Sequence, residues 1–282
     1  MFQTVDECRR AWEEKGRHGT TEERLARGEL WDDYYAYLAK GRMNAPPELS
    51  VLSLEVADYL CKESILGPEK TVLDIGSGMG DHALAFASQC GHVTALDRSS
   101  VCLDVLRHRT EQMGIGNITI QDEPWEIFQP QEKYDVTFSS MCPAICSYEE
   151  LLRMESMTRE TCCLVTVMRG SVDRHRREMM KRLQIVPKGG MATEALQYYE
   201  ILYLMGRMPE VKCWSSLHTS QISLEAFLER YQVYFRIFNV DETASEPLLR
   251  DYFAENARDG ILTEESQMNL ALITWHPAGV DH

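Results

Sequence analysis

Apolar positions recur along the chain with two periods, and the places where the period changes divide it into elements. From Leu49 a run with helical spacing (LSVLSLEVADYLCKESIL) is closed by Gly67-Pro68, a helix stop. Short β-branched runs follow at 71–75, 92–96, 117–121, 134–138 and 161–167, separated mostly by helical stretches. Strands alternating with helices predict crossover units and a parallel sheet covered on both faces. Beyond Met168 the rhythm breaks. Two consecutive helices are predicted at 173–184 and 193–206, then a strand near 211–219 and a helix from Leu224. A last strand, 268–275, follows a helical insertion ending at Asp259-Gly260. Ahead of all this, residues 1–48 read as helical, polar and aromatic, and Pro46-Pro47 marks their boundary.

A length of 282 residues suits one large domain or a domain with an appended cap. The predicted division is a helical cap at 1–48 and a main domain at 49–282, with a helical insertion at about 171–208. Charge narrows the partners. The 29 basic residues against 44 acidic ones leave a net −15, which argues against nucleic acid, whose phosphates attract a basic face. The N-terminus is charged throughout, and no apolar run approaches the length of a membrane span, so no membrane association and a cytoplasmic location are expected. Nine scattered cysteines read as reduced thiols rather than as a disulfide framework.

The segment richest in chemistry is Val72-Leu73-Asp74-Ile75-Gly76-Ser77-Gly78-Met79-Gly80, which leaves a strand and enters a helix at Asp81. Glycines there let the backbone turn sharply and approach a nucleotide-type ligand. A dinucleotide fingerprint would place its third glycine at position 81; that residue is Asp81, and an acid at the helix start disfavours a pyrophosphate. A nicotinamide oxidoreductase is therefore the last of the readings. Asp74 beside the loop suits a ligand carrying positive charge. Asp97, closing the second strand, stands where a carboxylate accepts from both ribose hydroxyls, and Arg98 follows it. At the end of the third strand Asp122 could accept from an adenine amino group, while Trp125 offers a stacking face.

Together these residues resemble the class I S-adenosylmethionine-dependent methyltransferases, over roughly residues 49–170. The resemblance implies a Rossmann-like, doubly wound, mostly parallel seven-stranded α/β sheet, with the strand at 268–275 antiparallel beside the fifth. It implies S-adenosyl-L-methionine as cofactor and S-adenosyl-L-homocysteine as product. Asp74, Gly76, Ser77, Gly78 and Gly80 would surround the methionine part, Asp97 and Arg98 the ribose, and Asp122 and Trp125 the adenine. Ser139 and Met141, in the loop after the fourth strand, would lie beside the sulfonium.

That loop reads Ser139-Ser140-Met141-Cys142-Pro143-Ala144, which departs from the acid or amide, two prolines and an aromatic found in enzymes that methylate base amino groups. The expected acceptor is a small molecule. A protein or RNA acceptor and a non-catalytic cofactor-binding module are the alternatives. Candidate catalytic residues are Tyr35 of the aromatic cap helix, Cys142, and His218 on the sixth strand; His82 near the glycine loop is a further candidate base. No metal site is expected, since Cys142 and Cys146 lack further ligands at zinc spacing. Arg169, Arg174, Arg176, Arg177, Lys181, Arg182 and Lys188 form a basic stretch in an acidic chain. Arg174 and Arg177, with Tyr34 of the cap, are the candidates for binding an anionic acceptor; a solvated face is the plainer reading. The helix at 194–206 presents an apolar, aromatic surface that could line a pocket or join two copies as a homodimer.

Overall fold

β1 (Thr71–Ile75), β2 (His92–Asp97), β3 (Ile118–Asp122), β4 (Tyr134–Ser140) and β5 (Thr158–Val167) lie parallel, in the order β3-β2-β1-β4-β5. The computed structural model describes residues 2–14, 25, 28–29, 31–168, 171–185 and 195–279. β1 and β2 are buried on both faces, which is why their sequences are continuous apolar runs rather than alternating ones. One face is covered by α3 (Val51–Lys62), α4 (Asp81–Ala87) and α5 (Ser100–Met113), around Val56, Leu60, Phe86, Leu103 and Phe138. The other is covered by α1 (Val5–Glu14), α6 (Tyr148–Ser156) and α8 (Ala195–Leu204), around Trp12, Leu73, Ile75, Tyr198 and Ile273. Between α1 and α3 lies α2 (Asp32–Met43).

β8 (Ile261–Trp275) runs antiparallel beside β5, as expected, but it starts seven residues earlier than position 268 because it forms a hairpin arm with β7 (Glu210–Ser223). The polar outer half of this arm, with little apolar signal, hid the true strand start. On β8 the outer half also pairs with a two-residue strand, β6 (Val172–Asp173). Since β5 ends at Val167 opposite Leu270, the arm from Ile261 to Asn269 stands above the carboxyl ends of the parallel strands. Against it packs a third apolar cluster, formed by α7 (Arg174–Arg182), α9 (Leu224–Arg236) and α10 (Glu242–Asn256) around Phe227, Tyr231, Phe235 and Phe253. Caps set these helices: Ser99 starts α5, Asp173 starts α7, Ser223 starts α9 and Asp241 starts α10, each side chain accepting a first-turn N–H. No helix among the described residues is long and apolar enough to cross a membrane.

Candidate functional site

The glycine turn is anchored to the strand beside it. Gly76 and Ser77 donate their N–H groups to the Leu96 carbonyl at 2.8 and 3.0 Å, and Gly80 donates to the Ser77 carbonyl at 3.0 Å. Gly76, Gly78 and Gly80 all hold left-handed φ angles of +72, +53 and +84°. They differ in what surrounds them. A Cβ at Gly76 would meet the Cys142 Sγ at 2.3 Å and one at Gly80 the Leu106 side chain at 2.2 Å, while one at Gly78 would meet nothing within 4 Å. The open side of the turn is therefore at Gly78.

Carboxylates face that opening. Asp97 accepts from the Gly78 N–H at 2.7 Å with Oδ2 and from the Ser99 N–H at 2.8 Å with Oδ1. A carboxylate has about four acceptor sites, so with the N–H groups of Gly78, Ser99 and Arg98 beside it Asp97 keeps capacity for a ligand hydroxyl. Asp74 is buried with Oδ2 unpartnered, and the Ser77 hydroxyl is likewise buried without a partner. Burial first, and Asp97 second, push the Asp74 carboxyl up to about 8, against the support of the Ala83 N–H; burial also raises Asp97. Orphaned polar atoms of this kind cost free energy unless a ligand satisfies them. A ligand with a cationic centre, an amino group and a ribose diol fits this set. Asp122 ends β3 in register with Asp97, exposed at the same edge.

Several expected contacts lie elsewhere. Trp125 is buried; its indole N–H donates to Glu150 and the Arg153 guanidinium covers its ring at 4.3 Å, so it packs the interior instead of presenting a stacking face. Arg98 donates to the Leu25 carbonyl at 2.7 Å and fills the space beside Gly28, tying down the N-terminal segment rather than reaching for a ribose. Ser139 is buried and its hydroxyl donates to the Ile75 carbonyl at 3.0 Å, which binds β4 to β1 beneath the turn. Met141 is exposed with a φ of +54°, a left-handed residue at the tip of β4. Asp81 is neutralised by Arg109 at 2.8 Å and Arg42 at 3.0 Å; Arg109, almost wholly buried, also donates to the carbonyls of Met79 and Glu48. No local signal marked Arg42 and Arg109, which lie far apart in sequence and meet only in the fold. They fasten α2 to the back of the glycine turn.

On α2 neighbouring tyrosines face two regions. The Tyr35 ring stacks on Trp31 at 6.0 Å, and burial raises its hydroxyl, with Cys142, Asp97 and Cys102 adding to the shift. Cys142 is pushed up to about 12 by burial, then by Asp97, Glu126 and Asp74, and is a neutral thiol packed on Gly76. His82 is also interior: its ring lies 4.7 Å from Phe138, and burial lowers it to about 4, which keeps the imidazole neutral. Tyr34 instead packs edge-on against Tyr234 at 5.4 Å. It borders a cavity of about 660 Å³ between α2, α9 and the β7–β8 arm.

That cavity is walled by Tyr34, Tyr37, Tyr231 and Tyr234, with Arg176 and His218 facing in. Glu264, buried in the wall, accepts from Arg230 at 2.5 Å and from the Tyr231 hydroxyl at 3.1 Å. Of the basic stretch, Arg176 lines the cavity while Arg174 and Arg177 are exposed and do not. Asp173 fixes this phase. As the cap of α7 it accepts from the Arg176 N–H at 3.0 Å and pairs with the Arg176 Nε at 3.3 Å, and the guanidinium lies 5.6 Å from the Tyr234 ring centre. The cap residue, visible in the sequence, was the signal that could have selected Arg176. Arg182 pairs with Glu178 and Glu255 on the surface, His175 bonds to Tyr252 and the Thr263 carbonyl inside, and Arg169 and Lys188 lie outside the described residues.

Comparison with known proteins bears on this geometry. Residues 72–160 match the family model described as a methyltransferase domain. A protein-L-isoaspartate O-methyltransferase of Protochlamydia amoebophila is 26% identical over 145 residues, which cover 48% of this chain and 69% of the relative. A release factor glutamine methyltransferase of Rhodopirellula baltica is 30% identical over 118 residues, covering 40% of this chain and 39% of its own. Among solved structures, coclaurine N-methyltransferase bound to N-methylheliamine and SAH aligns over 97% of this chain and 96% of its own, with a TM-score of 0.51 and 14% identity, a likeness of fold.

Proposed function

We propose that this chain, whose residues 72–160 match a methyltransferase domain, is a class I S-adenosylmethionine-dependent methyltransferase that transfers the methyl group to a small-molecule nucleophile held in the cavity beneath α2. The observation that carries this reading is that α2 reaches both regions: Arg42 pairs with Asp81, where the glycine turn enters α4, and Tyr34 and Tyr37 line the cavity. Residues 1–48 then act as a cap on the domain at 49–282, with the segment at 171–208 as the insertion that supplies Arg176.

The cofactor supplies a methyl group already activated by a sulfonium. What the chain's own residues do is hold and exclude. Asp74 and Ser77 satisfy the cationic methionine end, the remaining acceptor capacity of Asp97 takes the ribose, and the open backbone at Gly78 admits the ligand. The neutral Cys142 thiol fills the floor and takes no part as a thiolate. In the cavity the tyrosine walls bind an aromatic or apolar body, and Arg176 receives an anionic group on the acceptor. His218, in the cavity wall, is the group placed to take a proton from the acceptor atom. Alignment of nucleophile and methyl group is the main catalytic contribution.

The test is to supply labelled cofactor with a cell extract split by ultrafiltration. Label entering the low-mass filtrate supports the small-molecule reading. Label entering only the retained protein or RNA would overturn it, and no label in either, together with tight product binding, would leave a binding module. The two protein-modifying relatives make the retained fraction the necessary control.

A further inference from the structure

The sheet ends on β7, and among the described residues β8 is its only strand partner. This edge is long, and among the described residues no strand pairs with its outer side. Fourteen residues pair in unbroken register from Glu210 to Ser223, with no proline, and nearly all of them are exposed. Proteins usually guard such edges with charge, proline or a bulge, because unpaired backbone groups recruit another strand.

The two faces of β7 differ. Val211 pairs with Ile273 and Cys213 with Ala271, residues that pack in the cluster containing Tyr198, Ile201 and Leu202 of α8. The odd-numbered positions of β7 therefore lie on the α8 side of the sheet. From 211 to 217 they read Val, Cys, Ser and Leu, without a carboxylate or an ammonium; Glu210, Lys212 and His218 are all on the opposite face. Leu217 is 72% exposed. On the same side, α8 turns a second stripe outward: Leu196 is 68% and Tyr203 61% exposed, and the Tyr199 and Tyr203 rings stack at 6.3 Å. Met208, in the connection to β7, is also exposed. None of these residues lines the cavity beneath α2.

We infer that this edge joins two copies of the chain, with β7 pairing antiparallel to β7 of a second copy so that the sheet continues across a two-fold axis. An axis normal to the sheet keeps the α8 side of both copies on one side, so it brings stripe to stripe while it pairs edge with edge. The spacing agrees. The two β8 strands would stand three strand spacings apart, about 14 Å, and helices about 10 Å across riding on them would close over Val211, Cys213 and Leu217. Charge does not oppose a second copy here. Each copy carries a net −15, so copies repel at most faces and meet at least cost where the surface is uncharged. The exposed side chains offer apolar area on the order of 500 Å² per copy, which with the paired backbone approaches the roughly 800 Å² per partner of a standard interface.

Analytical ultracentrifugation of the full chain at micromolar concentration tests this, together with hydrogen exchange. The expected species is a dimer in which the outward-pointing β7 amides between Val211 and Leu217, the alternate ones that do not donate to β8, are protected. The double variant Leu217→Lys, Tyr203→Lys replaces exposed side chains, so it folds; it weakens dimerisation by about 100-fold and unprotects those amides, with S-adenosylhomocysteine affinity unchanged. A monomer at the highest soluble concentration, a dimer that survives both lysines, or a dimer with unprotected β7 amides would each overturn the proposal.

Discussion

Around the glycine turn, most of the groups that face a ligand come from one continuous stretch between Asp74 and Asp122, and backbone geometry fixes them. The cavity beneath α2 draws Tyr34, Arg176, His218, Arg230 and Glu264 from five separate elements, and side-chain pairing fixes them. The first region is left unsatisfied, with bare oxygens on Asp74 and Ser77. In the second, Glu264 and Asp173 are already paired. A site that must bind one invariant cofactor can keep its polar groups waiting, whereas a pocket built from long side chains has to be internally neutralised to stand open.

The contrast breaks most sharply at Gly78. Gly78→Arg fills the one open side of the turn, and left-handed backbone costs a non-glycine residue about 1–2 kcal/mol. S-adenosylhomocysteine affinity falls by at least about 100-fold, read by calorimetry, while the fold persists because a Cβ there meets no atom within 4 Å and the side chain leaves through the open side of the turn. Gly80→Val, by contrast, drives a side chain into Leu106 and lowers the melting temperature as well. A Gly78 variant that binds normally would remove the cradle from the glycine turn.

A second break uses pH. Asp74 is raised to about 8, so this group's stabilising contribution is present in full below its ordinary value of 3.8 and is lost as pH rises through about 8. The free protein therefore melts lower at pH 8 than at pH 5. Binding of the cationic cofactor has the opposite sign, because it favours the carboxylate and expels the proton. Affinity rises by up to about tenfold per pH unit and levels off above the shifted value. Calorimetry in two buffers of different ionisation enthalpy counts the proton. Asp74→Asn removes it, and any slope that remains belongs to Asp97. A flat profile in the parent protein would mean that Asp74 does not meet the positive charge.

This difference also explains what could be read from residues alone. The five parallel strands and the glycine turn follow from patterns a few residues long, in which period and neighbours are local, whereas the antiparallel β8 beside β5 follows only from what the family resemblance implies. Arg176 was harder, since choosing it over Arg174 and Arg177 needs the helix phase that the Asp173 cap imposes. The Arg42–Asp81–Arg109 knot and the Arg230–Glu264–Tyr231 group were not legible at all: their partners lie tens of residues apart, and only tertiary packing brings them together. Sequence spacing likewise overstated Trp125 and Arg98, whose positions beside the acids of β2 and β3 are right while their side chains turn inward or toward the cap.

On the acceptor side, Arg176→Gln sharpens the comparison. It raises the KM for an anionic acceptor by about 10-fold, the value of one charge-assisted pair, and leaves cofactor affinity unchanged. Arg174→Gln and Arg177→Gln, which change exposed side chains, leave KM within about twofold. Steady-state kinetics on the three variants separates a single cavity arginine from a diffuse basic face.

The smallest effect is expected where the two regions come nearest to being confused, at Trp125. An adenine stacked on an aromatic face is worth about 1–3 kcal/mol, so if Trp125 held the base, Trp125→Phe would reduce that contact and Trp125→Leu would cost cofactor affinity tenfold or more. The structure gives the ring other work: its N–H satisfies Glu150, a buried carboxylate, and Arg153 occupies its face. Removing the N–H therefore destabilises the fold by about 1–2 kcal/mol, seen as a lower denaturation midpoint, while affinity for S-adenosylhomocysteine stays within about twofold. The two readouts move in opposite ways under the two roles. Loss of affinity at unchanged stability would return Trp125 to the cofactor, whereas loss of stability at unchanged affinity leaves it as the internal brace between the end of β3 and α6.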